Sequence, residues 1–94
     1  MRFEGKSVLI TGAGKGIGRE TAKLMAARGA KVTAVSRTQS DLEALQAEIG
    51  CTTITVDLAD ADAARLAARQ GLPCDYLVNC AGIWAKRVAE LAGV

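Results

Sequence analysis

Eight consecutive residues carry the clearest chemical signal in this chain: Thr11-Gly12-Ala13-Gly14-Lys15-Gly16-Ile17-Gly18. They follow a short apolar run and precede an amphipathic one. A glycine-rich turn between a strand and a helix suits the binding of a diphosphate. Gly12 permits the tight turn, Gly16 leaves room for phosphate to approach the backbone, and Gly18 lets helix and strand pack closely. The N-terminus of the helix then offers unpaired N–H groups and a partial positive charge. The spacing is T-G-x-x-x-G-I-G. It is not G-x-G-x-x-G, because position 17 is Ile, and it is not a P-loop, because Gly14-Lys15 is followed by Gly16.

A second constellation lies about 20 residues on. A site for NAD normally ends its second strand with Asp or Glu, which holds the ribose 2′-hydroxyl. Here that place reads Ser36-Arg37-Thr38. With no carboxylate there to repel a 2′-phosphate, Arg37 offers a planar charged fork for it. Lys15 reaches the same phosphate from the glycine loop, and Ser36 and Thr38 add hydroxyls. The residues therefore point to NADP(H) as cofactor.

The elements that must position these residues alternate. A first strand spans Ser7 to Thr11, and a helix follows from about Gly16 to Arg28. Ile17, Thr21, Leu24, Met25 and Arg28 recur on it at helical spacing. Gly29 closes it. The second strand runs from Lys31 to Val35. Thr38, three residues before Asp41, suggests a capping box for a second helix. That helix carries Leu42, Leu45 and Ile49 on one face and ends at Gly50. The third strand is Thr53 to Val56. Asp60 is placed to cap a third helix reaching Arg69, which Gly71 and Pro73 stop. The fourth strand is Tyr76 to Asn79, and a last helical segment runs from about Ile83 to Leu91. This β-α-β-α-β-α-β-α order predicts an α/β fold, a Rossmann-type parallel sheet of order 3-2-1-4 ending after the fourth strand and a following helix. Residues 1–94 read as one NADP-binding half-Rossmann domain.

With these motifs in place, the chain resembles the short-chain dehydrogenase/reductase family over essentially its whole length. T-G-x-x-x-G-I-G matches that family's cofactor motif. Asn79-Cys80-Ala81-Gly82 resembles its N-N-A-G motif, with Cys80 replacing the second Asn. Asp57-Leu58 resembles the pair whose carboxylate meets the adenine amino group. Thr11–Gly18 and Val35–Asp41 are most similar to the carbonyl reductase and L-xylulose reductase branch. The resemblance implies that Asn79 is largely structural and that Ala81 and Gly82 pass beside the adenosine ribose. Cofactor-binding residues are thus expected at Gly12, Gly14, Lys15, Gly16, Ile17, Gly18, Ser36, Arg37, Thr38, Asp57, Leu58, Asn79, Ala81 and Gly82. Trp84 reads equally as a crevice-mouth residue and as ordinary packing. The family's catalytic Ser and Tyr-x-x-x-Lys have no counterpart here. The one tyrosine, Tyr76, is followed four residues later by Cys80, so no catalytic residue is assigned.

Composition bounds the remaining readings. Half of the 94 residues are hydrophobic and 3% aromatic, so Ala, Val, Leu and Ile must build the core. The net charge of +2 is too small to indicate nucleic acid or an anionic membrane as partner. No apolar run is long enough to span a bilayer, and no signal peptide is visible. The absence of histidine removes Ser-His-Asp hydrolysis and the usual zinc sites, so no metal is expected. Three cysteines without metal spacing read as reduced thiols in a cytoplasmic protein. Three functions stay open: an NADP(H)-binding module, an NADP-dependent oxidoreductase represented by a fragment, and a scaffold that binds nothing. As for partners, Tyr76-Leu77-Val78-Asn79 is apolar and lacks edge protection, which favours self-association through that strand. The competing outcome is that the last helix folds over the edge.

Overall fold

The computed structural model describes residues 3–57, 60, 62, 65, 69–70 and 74–80. The expected Leu58, Ala81 and Gly82 contacts, the segment Ile83–Leu91 with Trp84, and much of the third helix lie outside the described residues. Strand β1 spans Ser7–Thr11, helix α1 Gly16–Ala27, strand β2 Lys31–Ser36, helix α2 Gln39–Ile49, strand β3 Thr52–Thr55 and strand β4 Tyr76–Asn79. The four strands form one sheet in the order β3-β2-β1-β4, with every pairing parallel. The α/β alternation therefore produced the topology expected of it. Asp62, Arg65, Arg69 and Gln70 are helical, and Asp62 N donates to Asp60 Oδ1 at 3.0 Å, as a cap at Asp60 requires.

β1 is central, and its residues Val8 to Thr11 are buried in succession, as a parallel strand covered on both faces demands. Alternation of side chains then divides the interior. Val8 and Ile10 face α1 and α2 with Ala22, Val32, Ala34, Leu42, Leu45 and Cys51. Leu9 joins Val35, Ile54 and Val56 on the other side, against Cys74 and Leu77. The third strand begins at Thr52, one residue earlier than its β-branched run suggested, because Thr52 is in register with Thr33. β2 runs one residue longer, to Ser36, whose carbonyl accepts a hydrogen bond from Val56 N at 2.9 Å.

The core-facing stripe of α1 differs from the one its apolar spacing suggested. Ile17 is 80% exposed and Leu24 55% exposed. Gly18 and Ala22 are the buried positions, with Met25 and Ala26 packed beside them. The reason is the closeness of the helix to the turn before it. A Cβ on Gly18 would collide with the Gly12 carbonyl oxygen and lie 2.7 Å from its carbon. At that separation only the smallest side chains fit, and the larger ones rotate outward. α2 behaves as its pattern predicts: Leu42 and Leu45 are fully buried and Ile49 packs at the margin. On the solvent side Glu48 of α2 pairs with Lys23 at 3.1 Å and Arg19 at 3.5 Å.

At the N-terminal edge of the sheet Asp75 clamps β4 to β1. Its Oδ2 accepts from Ser7 N at 2.7 Å, and its own N–H donates to Ser7 O at 3.0 Å. The hydrogen bond from the Ser7 backbone holds the Asp75 carboxyl below the ordinary carboxylate value. A carboxyl whose folded value lies below its unfolded one stabilises fully above the unfolded value and loses that contribution as pH falls through the folded one. Stability is therefore expected to decline below about pH 4, and Asp75→Asn should flatten that decline. Urea midpoints across the acid range check it; equal slopes in both proteins would remove Asp75 from the account.

Candidate functional site

Parallel pairing brings the C-terminal ends of all four strands to one edge, so the loops after Thr11, Ser36, Thr55 and Asn79 converge there. Chain order reverses between β1 and β4: β2 lies on one side of β1 and β4 on the other. Helices leave in opposite directions at such a point, and a crevice opens between them.

The glycine loop forms one wall. Gly12 leaves β1 with φ +64°. Ala13 is buried, and its N–H donates to Val35 O at 3.1 Å, which ties the loop to the end of β2. Lys15 is the N-cap of α1, in extended conformation and without a side-chain cap bond. Gly16 has φ +57°, and a Cβ built on it meets nothing within 4 Å. The first turn of α1 holds no acidic residue, so nothing within it offsets the positive end of the helix. Open space over a glycine at an uncapped helix N-terminus is a cradle suited to a phosphate group. Ile17 stands exposed at the same helix end.

The end of β2 forms the neighbouring wall. Arg37 is exposed. Ser36 Oγ accepts from Thr38 N at 3.2 Å. Thr38 is the N-cap of α2 but makes no side-chain cap bond, so the expected capping box with Asp41 does not form. Instead the Asp41 carboxylate turns toward the glycine loop, where its Oδ2 lies 3.9 Å from Lys15 Nζ. A Cβ on Gly14 would sit 2.7 Å from Ser36 Oγ and 3.3 Å from Asp41 Oδ2. The expectation of a carboxylate-free pocket is thereby corrected. The strand itself ends without an acid, but the first turn of α2 carries one back to the site.

At the floor of the crevice Thr11 Oγ1 donates to Asn79 Oδ1 at 2.7 Å, and Cys80 N donates to Thr11 O at 3.2 Å. Asn79 thus joins the ends of β4 and β1, a structural part consistent with the one the resemblance implied. Asp57, just past β3, is exposed, and its carbonyl accepts from Asp60 N at 3.0 Å. Two participants are not legible as site residues in the sequence, where Thr11 only joins the first strand to the loop and Asp41 only pairs with Thr38 in a capping-box pattern. Only their places at neighbouring strand ends reveal what they touch.

Away from the crevice, a cavity of about 490 Å³ lies at the opposite end of the strands, lined by Ser7, Lys31, Ile49 and Cys51 among others. Burial pushes the thiols of Cys51 and Cys74 up, which keeps them protonated and weakly nucleophilic at neutral pH. Among the described residues no group of three His, Cys, Asp or Glu could hold a metal ion, and no helix is long and apolar enough to cross a membrane.

Residues 6–93 match the family model for short chain dehydrogenase. The chain belongs to this family. It is 50% identical to the L-xylulose reductase of Bos taurus over 84 residues, covering 88% of this chain and 34% of the relative. Identity to carbonyl reductase [NADPH] 2 of Sus scrofa is 46% over 84 residues, with the same coverage. A solved structure, a short chain dehydrogenase/reductase family protein, superimposes with a TM-score of 0.83 at 42% identity, covering 88% of this chain and 36% of that one. The chain thus spans about a third of the length of the curated relatives it matches. Those relatives are reductases by name, and family membership implies a nicotinamide dinucleotide cofactor.

The close approach of α1 to the turn ranks the glycines. Gly18→Ala forces a methyl group into backbone and should cost at least about 1–3 kcal/mol. Gly14→Ala meets the movable Ser36 hydroxyl and should cost less. Thermal and urea unfolding of the two variants checks the order; a Gly18→Ala as stable as the parent would show that the helix can shift outward freely.

Proposed function

We propose that this chain binds NADP(H) in preference to NAD(H), as the cofactor half of a carbonyl-reducing enzyme. The observation that carries the reading is the end of β2, where Ser36 stands in place of an acid and the exposed cations Arg37 and Lys15 flank the opening. The NADPH in the name of the Sus scrofa relative supports it. When bound, the nicotinamide supplies hydride exchange with a carbonyl group. In this reading Gly12, Gly14, Gly16 and Gly18 shape the phosphate cradle, and Ile17 gives apolar contact at its rim. Arg37, Lys15, Ser36 and Thr38 hold the 2′-phosphate. Asp57 and Leu58 meet the adenine, and Ala81 and Gly82 run beside the ribose while Asn79 keeps β4 against β1. The sequence contains no Tyr-x-x-x-Lys pair, so we assign binding and orientation to these residues and proton transfer to none of them. The Bos taurus relative is named for L-xylulose, and the parent reaction we infer is reduction of a small polyhydroxy ketone. We place the protein in the cytoplasm.

Two charge-assisted contacts to the 2′-phosphate would contribute roughly 1.5–3 kcal/mol each at best, and less with exposure and salt. Calorimetric titration is expected to give tighter binding of NADPH than of NADH. Arg37→Ala should weaken NADPH by about tenfold, or about 1.4 kcal/mol, and leave NADH nearly unchanged. The same protein should not oxidise NADPH when small ketones are added. Equal affinities, or an indifferent Arg37→Ala, would overturn the NADP(H) reading. A silent titration would leave the folding-scaffold reading.

We also infer self-association. Among the described residues β4 pairs with β1 alone, and a strand edge without a partner is a template for a second strand. A twofold pairing would set two copies of β4 antiparallel. Sedimentation is expected to give a mass that rises with concentration; a monomer whose β4 amides are protected from exchange would rule this out.

A further inference from the structure

The acid that reaches the site from α2 bears on which nucleotide is preferred. The Asp41 carboxylate lies 3.9 Å from the Lys15 ammonium. Both Asp41 Oδ2 and Ser36 Oγ converge on the point a Gly14 side chain would fill, at 3.3 and 2.7 Å. The two partners differ in freedom: the Lys15 side chain is 82% exposed, that of Asp41 only 25%. Lys15 can swing toward a ligand, whereas Asp41 is held in the first turn of α2. A 2′-phosphate recruited by Lys15 and Arg37 therefore arrives beside a fixed negative charge. A ribose 2′-hydroxyl, by contrast, can donate a hydrogen bond to a carboxylate.

We propose that Asp41 is a specificity-determining residue of this site: it screens Lys15 and opposes the 2′-phosphate, holding the preference for NADP(H) below what Lys15 and Arg37 alone would produce. The proposal rests on the NADP(H) reading above. It differs from a purely structural part, in which the acid only stabilises the positive end of α2. Loss of that stabilisation would lower the unfolding temperature and leave the affinity ratio alone. The field at Lys15 acts on the ratio itself, because the two cofactors differ only by the phosphate.

The test compares NADPH and NADH binding by calorimetry in the parent chain and in Asp41→Asn, each at low and at high salt. Asp41→Asn is expected to tighten NADPH by roughly three- to tenfold at low salt, the scale of one charge near another at a wet surface. NADH should be unchanged or weaker. The gain should shrink in high salt, where exposed charges are screened. Asp41→Ser serves as the second variant should the amide disturb α2, whose helicity circular dichroism reports. An unchanged NADPH-to-NADH ratio in folded variants overturns this proposal and leaves the NADP(H) reading standing. A parent chain that prefers NADH, or binds neither cofactor, overturns the NADP(H) reading and this proposal with it.

Discussion

The N-terminus of α1 is pressed onto the turn that leaves β1, so that the backbone of Gly18 rests against that of Gly12. Much of the molecule follows from this contact. It turns the small face of α1, Gly18 and Ala22, to the sheet and sends Ile17 and Leu24 outward. It also aims the uncapped end of the helix across the C-terminal edge of the strands, where the loop backbone is open at Gly16. A bulkier turn would displace the helix axis, and its partial positive charge would no longer face the crevice. The hydrogen bond from Ala13 N to Val35 O fixes the loop at its other side.

Electrostatics at the second strand end adds a different constraint. Lys15 belongs to the loop and Asp41 to α2, and the two meet across the end of β2, which Arg37 directly follows. Their balance depends on where α2 begins. Because the helix starts at Gln39, its third residue points back over the strand end rather than to solvent. The same residue thereby offsets both the positive end of the α2 dipole and the neighbouring cation, two effects that both oppose an incoming phosphate.

Family membership and a length of about one third of the relatives give these details their context. Among the described residues the open glycine loop and the end of β2 meet at the C-terminal edge of the sheet, beside the reversal of chain order between β1 and β4. The Thr11–Asn79 hydrogen bond matters for that reason. It ties the C-terminal ends of β1 and β4 together in register, Thr11 opposite Asn79.

The sequence by itself determined the strand order and the place of the glycine loop. Alternating short β-branched runs and amphipathic segments leave few right-handed parallel topologies, and β3-β2-β1-β4 is the one found. Leu42 and Leu45 were legible as core for the same reason of period. Tertiary structure alone decided which face of α1 is buried: apolar spacing marked Ile17, Leu24 and Met25, of which only Met25 packs against the core, whereas the fully buried positions are Gly18 and Ala22. It also decided the fate of Asp41. A three-residue spacing relates it to Thr38, but the ion pair joins it to Lys15, 26 positions earlier in the chain. Local pattern reads contacts along one element. Charges carried by separate elements meet only once the sheet has set the distance between those elements.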